Sequence, residues 1–292
     1  MPARLRTLLA LILLPLLVSC GEDAAPVAAP PGPSASASLS APDPSPDSSP
    51  APSPTSTGTT ARAIYYLADT GNGPRLYREF HRRPATTSVV RDAVEAMLTT
   101  PAADDDYTSL WPKGTTVRGV SLAGTTATVD LSGEARTANA GAAAEAASLQ
   151  QLVYTVTAAA TYVRAVQLEI DGQVVPDLWG HVDTSKPMSR EMAAQVLGPV
   201  WITQPASGRV ARGGDFGGEA SVFEATVSWE LLRGGVVVKR GFTNADQGAP
   251  GRGPWAAQAD VPPGDYLLRA FESSAEDGRP TFVDDKPLTV TG

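Results

Sequence analysis

Toward the C-terminal end, Phe223, Ala225, Val227, Trp229 and Leu231 alternate with Glu224, Thr226, Ser228 and Glu230. A period of two with one apolar and one polar series predicts a strand with a buried and a wet face. Gly234-Gly235 turns the chain into 236–240, the stretches 255–259 and 266–271 follow, and Leu288-Thr289-Val290 closes the series. Short strands punctuated by Gly, Pro and Asp predict an all-β, immunoglobulin-like sandwich over 199–292. Trp229 is placed like a core tryptophan, and Pro263-Gly264-Asp265-Tyr266 has the form of a tyrosine corner.

Upstream the rhythm is mixed. Ala63-Ile64-Tyr65-Tyr66-Leu67 is an opening strand. Ser88 has the chemistry of an N-cap, and Val90, Val94, Met97 and Leu98 follow at helical spacing until Pro101 stops the helix. Stretches 116–122 and 125–131 read as a hairpin turning at Ala123-Gly124. A second helix starts near Ala142 and turns amphipathic at Leu149, Leu152, Val153 and Val156. Val166, Leu168 and Ile170 alternate before Asp171-Gly172, a tight-turn dipeptide. The order β-α-β-β-α-β predicts an α+β domain over 62–183, a small mixed sheet with two helices on one face. Residues 184–198 are then an inter-domain linker.

The first 61 residues belong to neither pattern. Met1 to Arg6 is positively charged, and Leu8 to Val18 is apolar but too short for a bilayer core of about 30 Å. Residues 1–19 therefore read as an export signal. They end in Leu17-Val18-Ser19-Cys20-Gly21, which resembles the lipobox of bacterial lipoproteins. That resemblance implies cleavage before Cys20 and acylation of its thiol, and two or three acyl chains anchor stably where one does not. Residues 20–61, nearly all Ala, Pro, Ser and Thr, lack the apolar content to offset ordering entropy and are expected to form a disordered tether. Such a segment spans ~35–40 Å as a flexible coil and about 120 Å fully extended.

Composition narrows the partners. Formal charge is −8, and losing Arg4 and Arg6 with the leader takes it to about −10. An acidic chain without a basic stripe argues against nucleic acid and against electrostatic docking on anionic lipid. Cys20 is the one cysteine, so no internal disulfide can form.

Candidate chemistry is sparse. The two histidines, His81 and His181, read as surface or loop residues, and with no second cysteine a metal site is not expected. Asp104-Asp105-Asp106 lacks the alternating spacing of a calcium loop and reads as a solvated turn. Asp215-Phe216-Gly217 copies the kinase magnesium tripeptide but has none of its companion motifs. Trp111, Trp179, Trp201 and Trp255 could stack on wall sugars, with core packing the default. The acidic residues fall mainly in turns and on polar strand faces, so no catalytic residue and no cofactor is expected.

Several stretches together resemble a known family. Tyr65-Tyr66, Ala96-Met97-Leu98 before Pro101, and Trp111-Pro112-Lys113-Gly114-Thr115 are similar to the GerMN domain of sporulation and spore-germination lipoproteins. So are Val129-Asp130-Leu131-Ser132, the helix Gln150-Gln151-Leu152-Val153-Tyr154-Thr155, and Val166-Gln167-Leu168-Glu169-Ile170-Asp171-Gly172. Leu98-Thr99-Thr100-Pro101 departs from the family's Leu-x-x-Gly-Pro ending. Pro205-Ala206-Ser207-Gly208 and Val222-Phe223-Glu224-Ala225 resemble the Gmad2-type immunoglobulin-like domain. The pairing implies a non-catalytic envelope lipoprotein on the extracytoplasmic face of the cell membrane, held by lipid at Cys20, that acts in assembly or interaction. Its expected partner is an envelope protein or a second copy, through strand addition at a sheet edge. Peptidoglycan or a small molecule between the domains is the alternative, and a wall hydrolase a more distant one.

Overall fold

Strand β1 (Thr59–Asp69) turns at Gly71 and Gly73, both at positive φ, and returns as β2 (Pro74–Pro84) in continuous antiparallel register. These residues come from a computed structural model that describes 58–71, 73–84 and 86–292. The leader, Cys20 and the expected tether as far as residue 57 lie outside the described residues, and the end of that tether, Thr59, Thr60 and Ala61, belongs instead to β1. The expected order has no counterpart of β2, where four arginines interrupt the apolar alternation.

Helix α1 (Val89–Thr99) follows and stops before Pro101. Ser88 occupies the cap position without a side-chain cap bond. Instead Thr86 Oγ1 accepts from the Ser88 amide and donates to Asp92. Strands β3 (Val117–Ala123) and β4 (Thr126–Leu131) form the expected hairpin, and a 3-10 turn (Gly133–Thr137) leads to α2 (Ala142–Ala159). Strand β5 (Ala165–Ile170) pairs parallel to β4. Asp171 and Gly172, both at positive φ, turn it into β6 (Gln173–Val174).

Two features differ from the expectation. The strands form two sheets, the β1-β2 hairpin and a β3-β4-β5-β6 sheet, and the helices touch strands of both. Helix α2 is also not amphipathic: Gln150, Gln151, Tyr154, Thr155 and Thr157 are buried along with its leucines and valines. The polar ones serve β1. Gln151 Nε2 donates to the Tyr65 carbonyl at 2.7 Å, and the Tyr65 amide donates to Thr155 Oγ1 at 3.4 Å. A helix has thus taken over a strand edge.

Stretch 184–198 is built into the fold. It contains β7 (Met188–Ser189), paired with β5, and the short helix α3 (Ala193–Val196). It ends at Gly198, which donates to the Leu76 carbonyl at 2.9 Å and lies against the Tyr77 ring, where a Cβ would collide.

The remaining strands are β8 (Val200–Gln204), β9 (Arg209–Ala211), β10 (Asp215–Ala220), β11 (Thr226–Arg233), β12 (Val236–Asn244), β13 (Gly253–Gln258), β14 (Gly264–Ser273) and β15 (Pro280–Thr291). They make a sandwich of a β13-β10-β8 sheet and a β12-β11-β14-β15-β9 sheet. Val227, Trp229 and Leu231 face its core as expected, and Tyr266 Oη donates to the Pro262 carbonyl at 2.6 Å, closing a tyrosine corner. Phe223 departs from the alternation. It is 67% exposed, because Glu224 and Ala225 at positive φ form a turn before β11 begins.

Strand β8 joins the two cores. Val200 and Ile202 point into the sandwich, while Trp201, between them, packs with the first module. Burying both faces of a strand contributes roughly 1.5–3 kcal/mol per large side chain on each side. Gly217 and Gly218 of β10 are required here, since a Cβ at either would strike the backbone of β13 or β8. The Asp-Phe-Gly tripeptide is therefore a close-packing device, with Phe216 in the sandwich core.

Candidate functional site

The richest polar cluster lies where the two cores meet. β15 should alternate inward and outward, and Asp284 shares the inward parity of Leu288 and Val290. Its carboxylate is 3% exposed. Tyr107 Oη donates to Oδ1 at 2.7 Å, and the Ile202 amide donates to Oδ2 at 2.5 Å. One carboxylate thus ties the 101–108 loop of the first module to β8 and β15 of the sandwich. Burial pushes Asp284 up to about 7 against the pull of Lys286 and its two donors. Burial and the Asp284 charge likewise push the Tyr107 hydroxyl well above its ordinary range.

Lys286 Nζ donates to Asp104 Oδ2 at 2.7 Å and sits 4.4 Å from the centre of the Tyr107 ring. Asp104 is therefore buried and ion-paired, so the solvated turn expected for 104–106 holds only at Asp105 and Asp106, which are exposed. Glu79 of β2 accepts from the amides of Ala103 and Asp104 at 2.8 and 3.0 Å, and its Oε2 lies 2.8 Å from His81 Nε2. His81 also contacts Tyr66 Oη at 3.3 Å. It is a partly buried strand residue, not a loop histidine. Alongside this cluster opens a cleft of about 380 Å³, lined among others by Glu79, Phe80 and His81, by 202–208, and by Lys286, Pro287 and Leu288.

On the other flank, Trp201 is held between two arginines. The Arg252 guanidinium lies 4.2 Å and the Arg78 guanidinium 5.2 Å from its ring. Arg78 pairs with Glu219 of β10 at 2.5 Å, and Arg252 donates to the Gly198 carbonyl at 2.6 Å. Burial lowers Arg252 to about 10, still a cation at neutral pH.

A third buried carboxylate, Glu145 on α2, is fully enclosed. It accepts from the amides of Trp179, His181 and Val182 at 3.0, 2.9 and 3.3 Å, and His181 Nδ1 lies 2.8 Å from Oε2. Burial alone would raise its pKa, but these donors outweigh it and hold the group below the usual carboxylate range. His181 is a loop residue as expected, tied to a carboxylate the sequence reading passed over.

The tryptophans go to packing. Trp111, Trp201 and Trp255 are buried, and Trp179 stacks 5.9 Å from Trp111 while donating to the Ala135 carbonyl. The arrangement thus favours their core reading over sugar stacking. Among the described residues no group of three or more His, Cys, Asp or Glu is placed to hold a metal ion, and no helix is long and apolar enough to cross a membrane. Glu79, Asp284 and Lys286 were missed. The available signal was two charges, Asp284 and Lys286, on the parity of buried apolar positions in the last strand.

Comparison with known proteins fits the two cores. Residues 63–176 match the Germane family, described as sporulation and spore germination. Residues 199–279 match Gmad2, the immunoglobulin-like domain of bacterial spore germination. Neither description names a catalytic activity. No curated protein matches the chain. Among solved structures, the first GerMN domain of the sporulation protein GerM from Bacillus subtilis is 22% identical, with 45% of this chain and 98% of that one covered at a TM-score of 0.39. The tandem GerMN domains of the same protein are 16% identical over 70% of this chain and 62% of that one, at 0.40. A candidate lipoprotein from Clostridium perfringens is 22% identical over 45% and 88%, at 0.34.

Proposed function

We propose that this chain, in which a Germane domain precedes a Gmad2 domain, is a non-catalytic envelope lipoprotein that presents the two domains as one interaction block. The observation that carries the reading is the joint. β8 gives Trp201 to one core and Val200 and Ile202 to the other, and Asp284 locks the loop of the first domain to the second. Surfaces of both domains then keep a fixed relation, which suits a module that assembles with a partner. Cys20 supplies the membrane attachment, through acyl chains on its thiol, and the tether lets the block stand off the bilayer on its outer face.

Two experiments test this. Cys20→Ala should abolish incorporation of radiolabelled palmitate and release the chain from the membrane fraction, and undiminished labelling would remove the lipid anchor from the account. For the interaction role, a photoreactive residue is placed in the full chain at Phe242, 73% exposed on the sandwich, and at Met192, 65% exposed on the first module. Irradiation of intact cells should give discrete adducts with identified envelope proteins or a second copy. Capture of glycan fragments alone would overturn the protein-partner reading.

A further inference from the structure

We propose that the free edge of β2, over Arg78 to Arg82, is a strand-addition site for an extended acidic peptide segment of a partner protein, with an apolar side chain of that segment seated in the junction cleft. This rests on the interaction reading above and names its site and the chemistry of its partner.

The ladder shows which backbone groups are available. Leu67 exchanges both its amide and carbonyl bonds with Thr108, and its partner Leu76 accepts from Gly198, so this pair faces away from the hairpin's own ladder. Groups alternate along a strand with period two, and the β1-β2 register is unbroken. The amides and carbonyls of Arg78, Phe80 and Arg82 therefore face away from β1. On β1 the outward groups of Tyr65 and Leu67 are satisfied, by Gln151 and Thr155 and by Thr108. On β2 the cover ends at Leu76. Among the described residues the hairpin is a two-stranded sheet, and past the Leu76–Leu197 bridge no described strand pairs with the outer edge of β2. An unpaired strand edge is a ready template for another chain.

The surroundings define the segment that fits. Phe80, 56% exposed, lines the 380 Å³ cleft together with Ile202, Pro205 and Ala206. That space accepts an apolar side chain. Arg75, Arg82 and Arg83 also lie on β2 and form no ion pair among the described residues, whereas Arg78 is paired with Glu219. With four arginines against Glu79, β2 is basic and fits an acidic segment, and the mutual repulsion of two chains of charge −8 favours another protein as its source. Main-chain pairing would supply affinity, and the charges orientation and encounter rate.

The test uses the full chain and fluorescence anisotropy of labelled Asp-Val-Asp-Leu-Asp-Val-Asp. Three control peptides accompany it: a Lys-for-Asp counterpart, a copy N-methylated at alternate amides, and an Asp-Gly-Asp-Gly-Asp-Gly-Asp copy. Saturable binding of the first is expected, weakened about tenfold or more in each control. Phe80→Pro deletes an outward amide and no β1-β2 bond, since proline is tolerated where the N–H faces outward. It should lose about tenfold in affinity, whereas Phe80→Leu, which keeps the amide and an apolar wall, should stay within about threefold. Thermal unfolding of both variants confirms that the hairpin is intact. Arg82→Glu should reverse the preference between the acidic and basic peptides.

No saturable binding of the acidic peptide, equal binding of the N-methylated copy, or full affinity in Phe80→Pro would each overturn the site. Self-association that Phe80→Pro abolishes would make the occupant a second copy and overturn the acidic partner. Identified envelope adducts at Met192 or Phe242 that persist in Phe80→Pro would leave the interaction role standing without this edge.

Discussion

Glu145 and Asp284 are two of the carboxylates buried among the described residues, and they answer burial in opposite ways. Glu145, on α2, meets three amides and a histidine ring, and these donors keep it ionised. Asp284, at the junction, meets one hydroxyl and one amide, and burial prevails. The balance between desolvation and donors decides which form is favoured, and Asp284 has both the heavier desolvation and the fewer donors. Glu145 works as an internal pin for the 179–182 loop. Asp284 is a joint between modules that strengthens when it takes up a proton.

The largest expected effect lies in the pH dependence of that joint. The ordinary value of Asp284 is 3.8 and its folded value is about 7. Below about 4 the carboxyl is protonated in both states and costs nothing. Between about 4 and 7 the folded state holds a proton the unfolded state has released, so stability falls as pH rises, and the full penalty is present above 7. At 1.36 kcal/mol per pH unit the loss reaches about 4 kcal/mol. Asp284→Asn should remove it. One amide oxygen still accepts from Ile202, and the amide nitrogen can donate to Tyr107 Oη. Denaturant melts should show variant and parent converging near pH 4 and the variant more stable at pH 8. A parent that loses stability on acidification from 8 to 6, while the variant does not, would reverse the sign assigned to this group.

Next in size is Glu145→Ala, expected to cost about 3 kcal/mol because it strands three amides at once. Its pH sign is the mirror of the first. A depressed carboxylate contributes stability above its ordinary 4.5, and that contribution is lost as pH falls through the folded value. Parent and Glu145→Ala should therefore differ most at neutral pH and approach each other in acid. Hydrogen exchange at Trp179, His181 and Val182 should accelerate in the variant. Unchanged protection there would mean that the loop is held by Trp179 packing rather than by the carboxylate.

The same contrast explains which parts of the molecule were readable from sequence. The sandwich strands carry their burial in a period of two, so Val227, Trp229 and Leu231 could be placed on the core face directly. The exception, Phe223, follows from Glu224 and Ala225 in the left-handed region, which composition does not announce. Helix α2 hid its role because Gln151 and Thr155 are polar residues spent on the edge of β1, and a pattern of apolar positions cannot register them. Strand β2 was hidden by its four arginines, of which Arg78 lays its guanidinium over Phe80 and Trp201. Glu145 stood alone in an alanine run, and Asp284 on a buried parity. Each was a charge where an apolar residue was due, a local signal whose partners, at 179–182 and at Tyr107 and Ile202, lie far away in sequence.

The smallest effect separates the two sites most sharply. Lys286 pulls Asp284 down while pairing with Asp104, so Lys286→Met removes the main charge that opposes burial at the junction. Asp284 should then titrate at higher pH, moving the upper edge of its window upward. The cost near neutral pH should be about 1 kcal/mol, because Asp104 loses its partner while Asp284 gains a proton that relieves part of the strain between the two acids. Glu145 is held instead by three backbone amides and the His181 ring. The comparison therefore predicts that Lys286→Met shifts the alkaline limb of the stability curve and leaves the acid limb in place. A shift of the acid limb instead would mean that the two carboxylates are coupled through the first core.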